Sequence, residues 1–241
     1  MKQAVILAGG LGTRMLPRTG RVPKLLLPVA GRPFAAWLLE RLAAAGFEEA
    51  LLCIAHLGEM IRDELGDGQS FGIAVRYADE GPVLLGTAGA LRRALSCLAP
   101  TFLVTYGDSY LPFDYAAPLA DLDAHPPAMG TMAVFKNDDR WDRSNTRIEG
   151  DRVVCYEKRA RDAAFDPAID HIDYGAIALR REVIASLPEG APLGLDVIQR
   201  DLAARGLLRA FPAPRRFFEI GSPEGLADLE AELTSNEGSP R

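Results

Sequence analysis

Apolar positions along the chain follow two alternating rhythms. Short unbroken runs, Ala4 to Ala8 and Ala50 to Ala55, read as strands buried on both faces, as in a parallel sheet, and Ile73 to Tyr77 and Thr101 to Tyr106 read as a third and a fourth strand. Between them apolar residues recur at helical spacing. Phe34, Trp37, Leu38, Leu42 and Ala45 form one stripe, opened by Pro33 and stopped by Gly46. Leu57 to Leu65 forms a second, closed by Gly66-Asp67-Gly68, and Thr87 to Leu98 a third, weakened by Gly89. Leu25 to Val29 is a further short apolar segment, and Ala30-Gly31-Arg32-Pro33 a turn. Strand and helix alternating at this pace predict an α/β fold, a three-layer αβα, Rossmann-like architecture with a mainly parallel mixed sheet. Right-handed crossovers put the loops after the strands on one sheet edge, where a ligand is expected.

The second half reads differently. Met132 to Phe135 and Arg152 to Glu157 are predicted strands, with the polar, turn-rich stretch Lys136 to Asn145 between them. Asp170 to Gly175 reads as a turn leading into a strand, Ala176 to Leu179. A helix over Leu195 to Ala204, the segment Leu207 to Phe211 and a helix over Glu224 to Leu233 complete the pattern. From Thr234 the chain is small and polar and reads as a disordered tail. No repeat or linker breaks residues 1–233, so one domain is expected, with a small lobe formed by the second half.

Composition narrows the classes. The 241 residues carry a net charge of −6 and no lysine- or arginine-rich run, which disfavours nucleic acid as a partner. No apolar run is long enough to span a bilayer, and the N-terminus enters the first strand directly, leaving no room for a signal peptide. The three cysteines, Cys53, Cys97 and Cys155, lie in apolar runs and read as reduced core residues of a cytoplasmic protein. His56, His125 and His171 show no zinc spacing.

The densest chemistry lies at the start: Ala8-Gly9-Gly10-Leu11-Gly12-Thr13-Arg14-Met15-Leu16-Pro17, then Pro23-Lys24. Glycines after a buried strand let several peptide N–H groups converge on one anion, and Arg14 and Lys24 add charge downstream. A plain tight turn is the bland alternative. A dinucleotide fingerprint fails for want of its third glycine and of an acidic residue at the end of a second strand, and a P-loop fails for want of Gly-Lys-Ser or Gly-Lys-Thr. Gly107-Asp108 ends the fourth strand, where it is either a turn or a carboxylate that holds Mg²⁺ beside phosphates. Glu219-Ile220-Gly221-Ser222-Pro223 reads as a strand end and a Ser222-capped helix with Pro223 at N1. Glu157-Lys158-Arg159 is, on its own, a solvated charged face. Trp37 and Trp141 read as core and lobe packing.

The pattern Gly-Gly-x-Gly-x-Arg-x-x-Pro followed by Pro-Lys resembles the signature of the sugar-1-phosphate nucleotidylyltransferases, the enzymes that make nucleotide-sugars. Met15 stands where that family usually has Leu. The resemblance runs from Ala4 to about Leu229. It implies the family's nucleotidyltransferase fold with an acceptor-side lobe, and transfer of an NMP from an NTP to a sugar 1-phosphate with release of pyrophosphate. Ala8, Gly9, Gly10, Leu11, Gly12 and Thr13 would then bind the nucleotide, with Glu80, Gly86, Thr87 and Tyr106. Arg14, Lys24 and Asp108 would be catalytic. Asp108 and Glu219 would hold Mg²⁺, although Glu219 replaces the family's usual Asp, Ser222 its Thr, and Ser109 its commoner Asn or Thr. Lys158 and Glu157, with Tyr174 and Gly175 from a loop that closes over the sugar, would bind the acceptor, Arg159 standing by as a further cation.

The chain most resembles the short members acting on heptose 1-phosphate with GTP or on N-acetylmuramate 1-phosphate with UTP. Leu85-Gly86-Thr87-Ala88-Gly89-Ala90-Leu91 leans toward the guanylyl side. Cytidylyl transfer to a phosphocholine-like acceptor, and a non-catalytic nucleotide-sugar sensor on the same fold, are the alternatives. Such products serve cell-envelope polysaccharides. A homo-oligomer is compatible with the sequence, which does not fix the oligomeric state.

Overall fold

The computed structural model describes residues 1–10, 22–81, 83–158, 162, 164 and 166–237. Leu11, Gly12, Thr13, Arg14 and Arg159, all singled out above, lie outside the described residues, as do residues 238–241 of the expected tail. The chain divides into two compact units. The first is Met1–Leu84, Thr105–Pro112 and Phe217–Arg241; the second is Leu85–Val104 and Phe113–Arg216.

In chain order the strands are β1 (Gln3–Leu7), β2 (Pro28–Val29), β3 (Arg32–Pro33), β4 (Glu49–Ile54), β5 (Ala74–Asp79), β6 (Thr101–Tyr106), β7 (Ser109–Tyr110), β8 (Gly130–Lys136), β9 (Thr146–Glu149), β10 (Arg152–Tyr156), β11 (His171–Arg180), β12 (Leu208–Pro212) and β13 (Phe218–Glu219). The described α-helices are α1 (Phe34–Ala44), α2 (Gly58–Leu65), α3 (Gly86–Arg93), α4 (Ala117–Ala124), α5 (Arg181–Ala185), α6 (Leu195–Ala204) and α7 (Pro223–Glu237).

In the first unit β1 pairs in parallel with β4, and β4 with β5. Ala4, Val5 and Ala50 to Ile54 are wholly buried, as unbroken apolar runs require. The buried polar residues Gln3 and Glu49 in this layer are satisfied internally: Gln3 Nε2 donates to Glu49 Oε1 at 2.7 Å. β5, the third strand expected, alternates between exposed and buried at its start, because it ends the strand order. Ala30 and Gly31 both have positive φ, 47° and 76°, and close a two-residue hairpin between β2 and β3. α1 covers the layer with Phe34, Leu38, Leu39 and Leu42. β7 and β13, too short to show any periodicity, pair antiparallel with Glu219 opposite Ser109. Ser222 caps α7 as its sequence suggested, its Oγ accepting the Gly225 N–H at 3.1 Å. α7 continues through Glu237, so residues 234–237 are helical rather than tail.

In the second unit the strand order is β11-β8-β12-β10-β9, antiparallel throughout except for the parallel β8–β12 pair. Met132, Ala133 and Val134 of β8 are fully buried. Several expectations are corrected here. Asp173-Tyr174-Gly175 is not a loop but part of β11, whose register against β8 shifts between Asp173 and Ile177; Gly175 takes φ 94°. The third predicted helix ends at Arg93 and passes into a 3-10 turn at Leu95–Cys97. α4 forms where no helix was expected, with a proline in its first turn and Leu119 and Leu122 buried. Trp141 is 54% exposed, its ring covered by the Arg216 guanidinium at 4.0 Å. The cysteines are free; Cys53 is buried, whereas Cys97 and Cys155 are half-buried rather than core residues. Among the described residues no helix is long and apolar enough to cross a membrane.

Candidate functional site

The first unit brings its sequence-predicted residues to one edge. β1 and β6 end side by side, where the Gly107 N–H donates to Leu7 O at 3.0 Å. A side chain on Gly107 would press on that oxygen at 3.2 Å and on Ala8 at 3.4 Å, so glycine permits the approach. Ala8 leaves β1 with its N–H bonded to Cys53 O at the end of β4. Gly9 follows, and any side chain there would collide with the Glu80 carboxylate. Glu80 is itself buried just past β5, its N–H donating to Ile54 O at 2.8 Å. Ala8, Gly9, Gly10, Glu80, Tyr106 and Asp108 thus follow the carboxyl ends of strands or, in the case of Tyr106, occupy one.

Lys24 opens a 3-10 turn, and its ammonium lies 2.8 Å from Asp108 Oδ2. Both side chains are partly enclosed, 18% and 32% exposed, so bulk salt screens this pair less than a surface pair. The Asp108 carbonyl accepts the Ile220 N–H at 2.9 Å, which holds the backbone of Glu219 one residue from that of Asp108. Glu219 is exposed. Its carbonyl is packed against Gly225 so closely that no other residue fits there. Among the described residues no group of three or more His, Cys, Asp or Glu side chains is arranged to hold a metal ion. Two hard carboxylate oxygens on hydrogen-bonded segments are a donor set that suits Mg²⁺, which takes few protein ligands and completes its shell with water and phosphate.

The second unit holds the other predicted residues. Gly86 and Thr87 open α3, but their surroundings are protein. Ala88 and Gly89 N–H both donate to Leu193 O, at 2.9 and 3.2 Å, and Thr87 Oγ1 accepts the Leu195 N–H at 2.7 Å. Gly86, at φ 71°, and Gly89 are glycines because the backbone of residues 191–193 lies against them. The glycines of this run allow the close approach of residues 191–193.

Lys158 Nζ donates to Asp196 Oδ1 at 3.0 Å, and Arg200 to Asp196 Oδ2 at 2.9 Å. Glu157 is exposed, its N–H bonded to Asn145 O. The ring of Tyr174 is 1% exposed and meets Phe113 edge-on with centroids 5.1 Å apart; it belongs to the core, and only its backbone could face a ligand. Its neighbour Asp173 accepts from Gly175 N–H at 2.9 Å, Gln199 Nε2 at 2.6 Å and Tyr156 OH at 3.4 Å. Burial pushes the Asp173 carboxyl above the ordinary carboxylate range, and these donors together with the Lys158 charge pull it only part of the way back. Burial also raises the Cys155 thiol, helped by the Glu157 carboxylate, so Cys155 is no reactive thiolate.

Asp196 and Gln199 went unnoticed in the sequence. Gln199 had a signal: it interrupts the apolar stripe of Leu195, Ile198 and Leu202 on α6, and a polar residue on a buried face has a partner. Asp196, one of many surface-spaced acids, had none.

Comparison with known proteins agrees with this layout. The family pattern described as nucleotidyl transferase matches residues 3–148. The mannose-1-phosphate guanylyltransferase of Mycobacterium tuberculosis is 32% identical over 195 residues, covering 80% of this chain and 53% of that protein. The N-acetylmuramate alpha-1-phosphate uridylyltransferase of Neisseria meningitidis serogroup B is 45% identical over 116 residues, covering 48% of this chain and 50% of that one. The chain therefore spans about half the length of these curated relatives. The crystal structure of HddC from Yersinia pseudotuberculosis superposes with a TM-score of 0.78 at 26% identity, covering 97% of this chain and all of that one. With a glycine turn at the end of β1, an aspartate at the end of β6 and the family pattern running through both, the chain belongs to the nucleotidyl transferase family.

Proposed function

We propose that the protein transfers an NMP from an NTP to a sugar 1-phosphate, giving an NDP-sugar and pyrophosphate. The observation that carries this reading is the Lys24–Asp108 ion pair, set on the sheet edge that the Gly9-Gly10 turn also leaves. That edge offers backbone donors, a cation and a carboxylate, the three things a magnesium nucleotide requires. Backbone N–H groups of the glycine turn and Arg14 would hold the β- and γ-phosphates. Lys24 would neutralise charge that develops at the α-phosphate. Asp108 and Glu219 would hold Mg²⁺, which when bound orients the phosphates and withdraws charge from them. Lys158 would anchor the acceptor phosphate. No general base is required, because a phosphate monoester is already ionised at neutral pH. Positioning and charge neutralisation supply the rate enhancement.

The proposed donor is GTP and the proposed acceptor a mannose- or heptose-type 1-phosphate; the relative aligned over four-fifths of this chain is named for guanylyl transfer. A second reading, UTP with N-acetylmuramate 1-phosphate, is favoured by the 45% identity to a uridylyltransferase over half of the chain. Incubation with each of the four NTPs, Mg²⁺ and a panel of sugar 1-phosphates, followed by measurement of pyrophosphate, tests both. Release with GTP and a manno-configured acceptor is expected. Release with UTP and N-acetylmuramate 1-phosphate alone would replace the first reading by the second, and no release with any pair would reject transferase activity.

A further inference from the structure

α6 touches two separate stretches of the acceptor machinery. Asp196 and Gln199 are three residues apart and therefore share one helix face. Asp196 holds the Lys158 ammonium at 3.0 Å. Gln199, 1% exposed, holds Asp173 Oδ2 at 2.6 Å. Asp173 in turn receives the Gly175 N–H on its other oxygen and fixes the bulged segment of β11. The Asn145 side-chain carbonyl accepts the Asp173 N–H at 2.9 Å, so both the backbone and the carboxylate of Asp173 are tied down.

The helix is itself anchored. The Leu195 N–H at its start is bound by Thr87 Oγ1, and Leu193 just before it is laced to α3 through three backbone hydrogen bonds. Asp196 is only 14% exposed although it stands in the first turn. Its carboxylate folds over Gly194, where a side chain would collide with Oδ1. A first-turn carboxylate is favoured by the positive end of the helix, which helps it hold two cations at once, Lys158 and Arg200.

We propose that Asp196 and Gln199 are positioning residues for the acceptor: Asp196 aims Lys158, Gln199 aims Asp173 and the Asp173–Gly175 segment, and α6 keeps the two in register. This rests on the acceptor role proposed above for Lys158 and for the Asp173–Gly175 segment. Neither residue touches the reacting atoms; each acts through another side chain, so its loss shows in acceptor binding rather than in nucleotide binding.

Initial rates of the full chain, with NTP and acceptor varied independently, decide this. Asp196→Ala is expected to raise the acceptor KM about tenfold and leave the NTP KM within about twofold. Lys158→Met is expected to do the same, and the double variant to be no worse than Lys158→Met alone, because Asp196 acts through Lys158. Asp196→Asn, which keeps an acceptor oxygen, is expected to recover part of the loss. Gln199→Met, of similar volume without the donor, is expected to give the same KM split with Asp173→Asn as its partner; if it does not fold, the Asp196 series alone decides. Equal rises in both KM values, or a double variant with the full product of the single effects, would overturn the inference and leave the acceptor role of Lys158 standing. If Lys158→Met and Asp173→Asn both leave the acceptor KM unchanged, the acceptor reading falls and the inference with it.

Discussion

The Lys24 ammonium lies 2.8 Å from Asp108 Oδ2, although 84 residues separate the two in sequence. The contact is made by backbone design: Gly107 lets β6 end against β1, which delivers Asp108 beside the end of β1. Asp108 is thereby paired with a cation, and the pair is partly enclosed, so bulk salt screens it less than a surface pair.

Asp108→Asn should lower kcat by about 100-fold or more, roughly 2.7 kcal/mol of transition-state stabilisation, with little loss of fold. The side chain is 32% exposed at a strand end, so no core contact is lost. Steady-state kinetics at several Mg²⁺ concentrations, with thermal melts alongside, check this. Near-normal turnover at limiting Mg²⁺ would remove Asp108 from the metal.

Glu219→Gln should cost at least about tenfold in kcat and shift the Mg²⁺ dependence upward, because it removes one of two proposed hard oxygen ligands. Glu219→Asp should not improve the enzyme, since the backbone of Glu219 is already fixed by the Ile220–Asp108 hydrogen bond and by Gly225. Chelation with EDTA should abolish activity, and Mg²⁺ should restore it. Metal titrations on the three proteins check this; an unchanged Glu219→Gln enzyme would make Glu219 a structural residue only.

Gly86→Ala should destabilise the protein by about 2–4 kcal/mol, from the left-handed backbone and from the forced contact with Leu193 O together. Gly31→Ala is the control. It has the same sign of φ with open space around it, so only the backbone cost of about 1–2 kcal/mol should appear. Denaturant unfolding of both variants measures the difference. Equal losses would mean that the α3 start does not depend on the close approach to Leu193.

Asp121→Asn should cost about 1–3 kcal/mol at neutral pH and much less in acid. Burial alone would raise the Asp121 carboxyl, but hydrogen bonds from Arg209 and Thr131 and the guanidinium charge outweigh it, and the carboxyl is held below its ordinary value. A carboxylate depressed in the folded state stabilises above its unfolded pKa of about 3.9, and the gain is lost as pH falls through the lower folded value. Unfolding free energies at pH 7 and near pH 3 should therefore differ for the wild type by more than they do for the variant. A loss that is the same at both pH values would exclude the ionised pair as its source.

The sequence read best where one segment carries its own instruction. The apolar run Ala50 to Ile54 reads as a strand covered on both faces, and Ser222-Pro223 as the start of a helix, and the structure has both. It read worst where two distant segments define each other. Nothing in the run that holds Gly86 and Gly89 shows that the backbone of Leu193 lies against both. Asp173-Tyr174-Gly175 looks like a turn because Asp and Gly favour turns, yet pairing with β8 across a register shift makes it strand. β7 and β13 are two residues each, below the length at which any period can be read.

By itself, the sequence determined the α/β class, the place of the glycine turn after β1, the place of Gly107-Asp108 after β6, and through them the family. These follow from periodicity, glycine conformational freedom and capping chemistry, all of which act within a few residues. Only the tertiary structure decided that Lys24 meets Asp108, that Lys158 meets Asp196 across 38 residues, and that Gln199 meets Asp173 across 26. Those pairs depend on which strands lie side by side and on which face of α6 is buried, and both are set by the summed burial of many apolar side chains rather than by the residues that form the pairs.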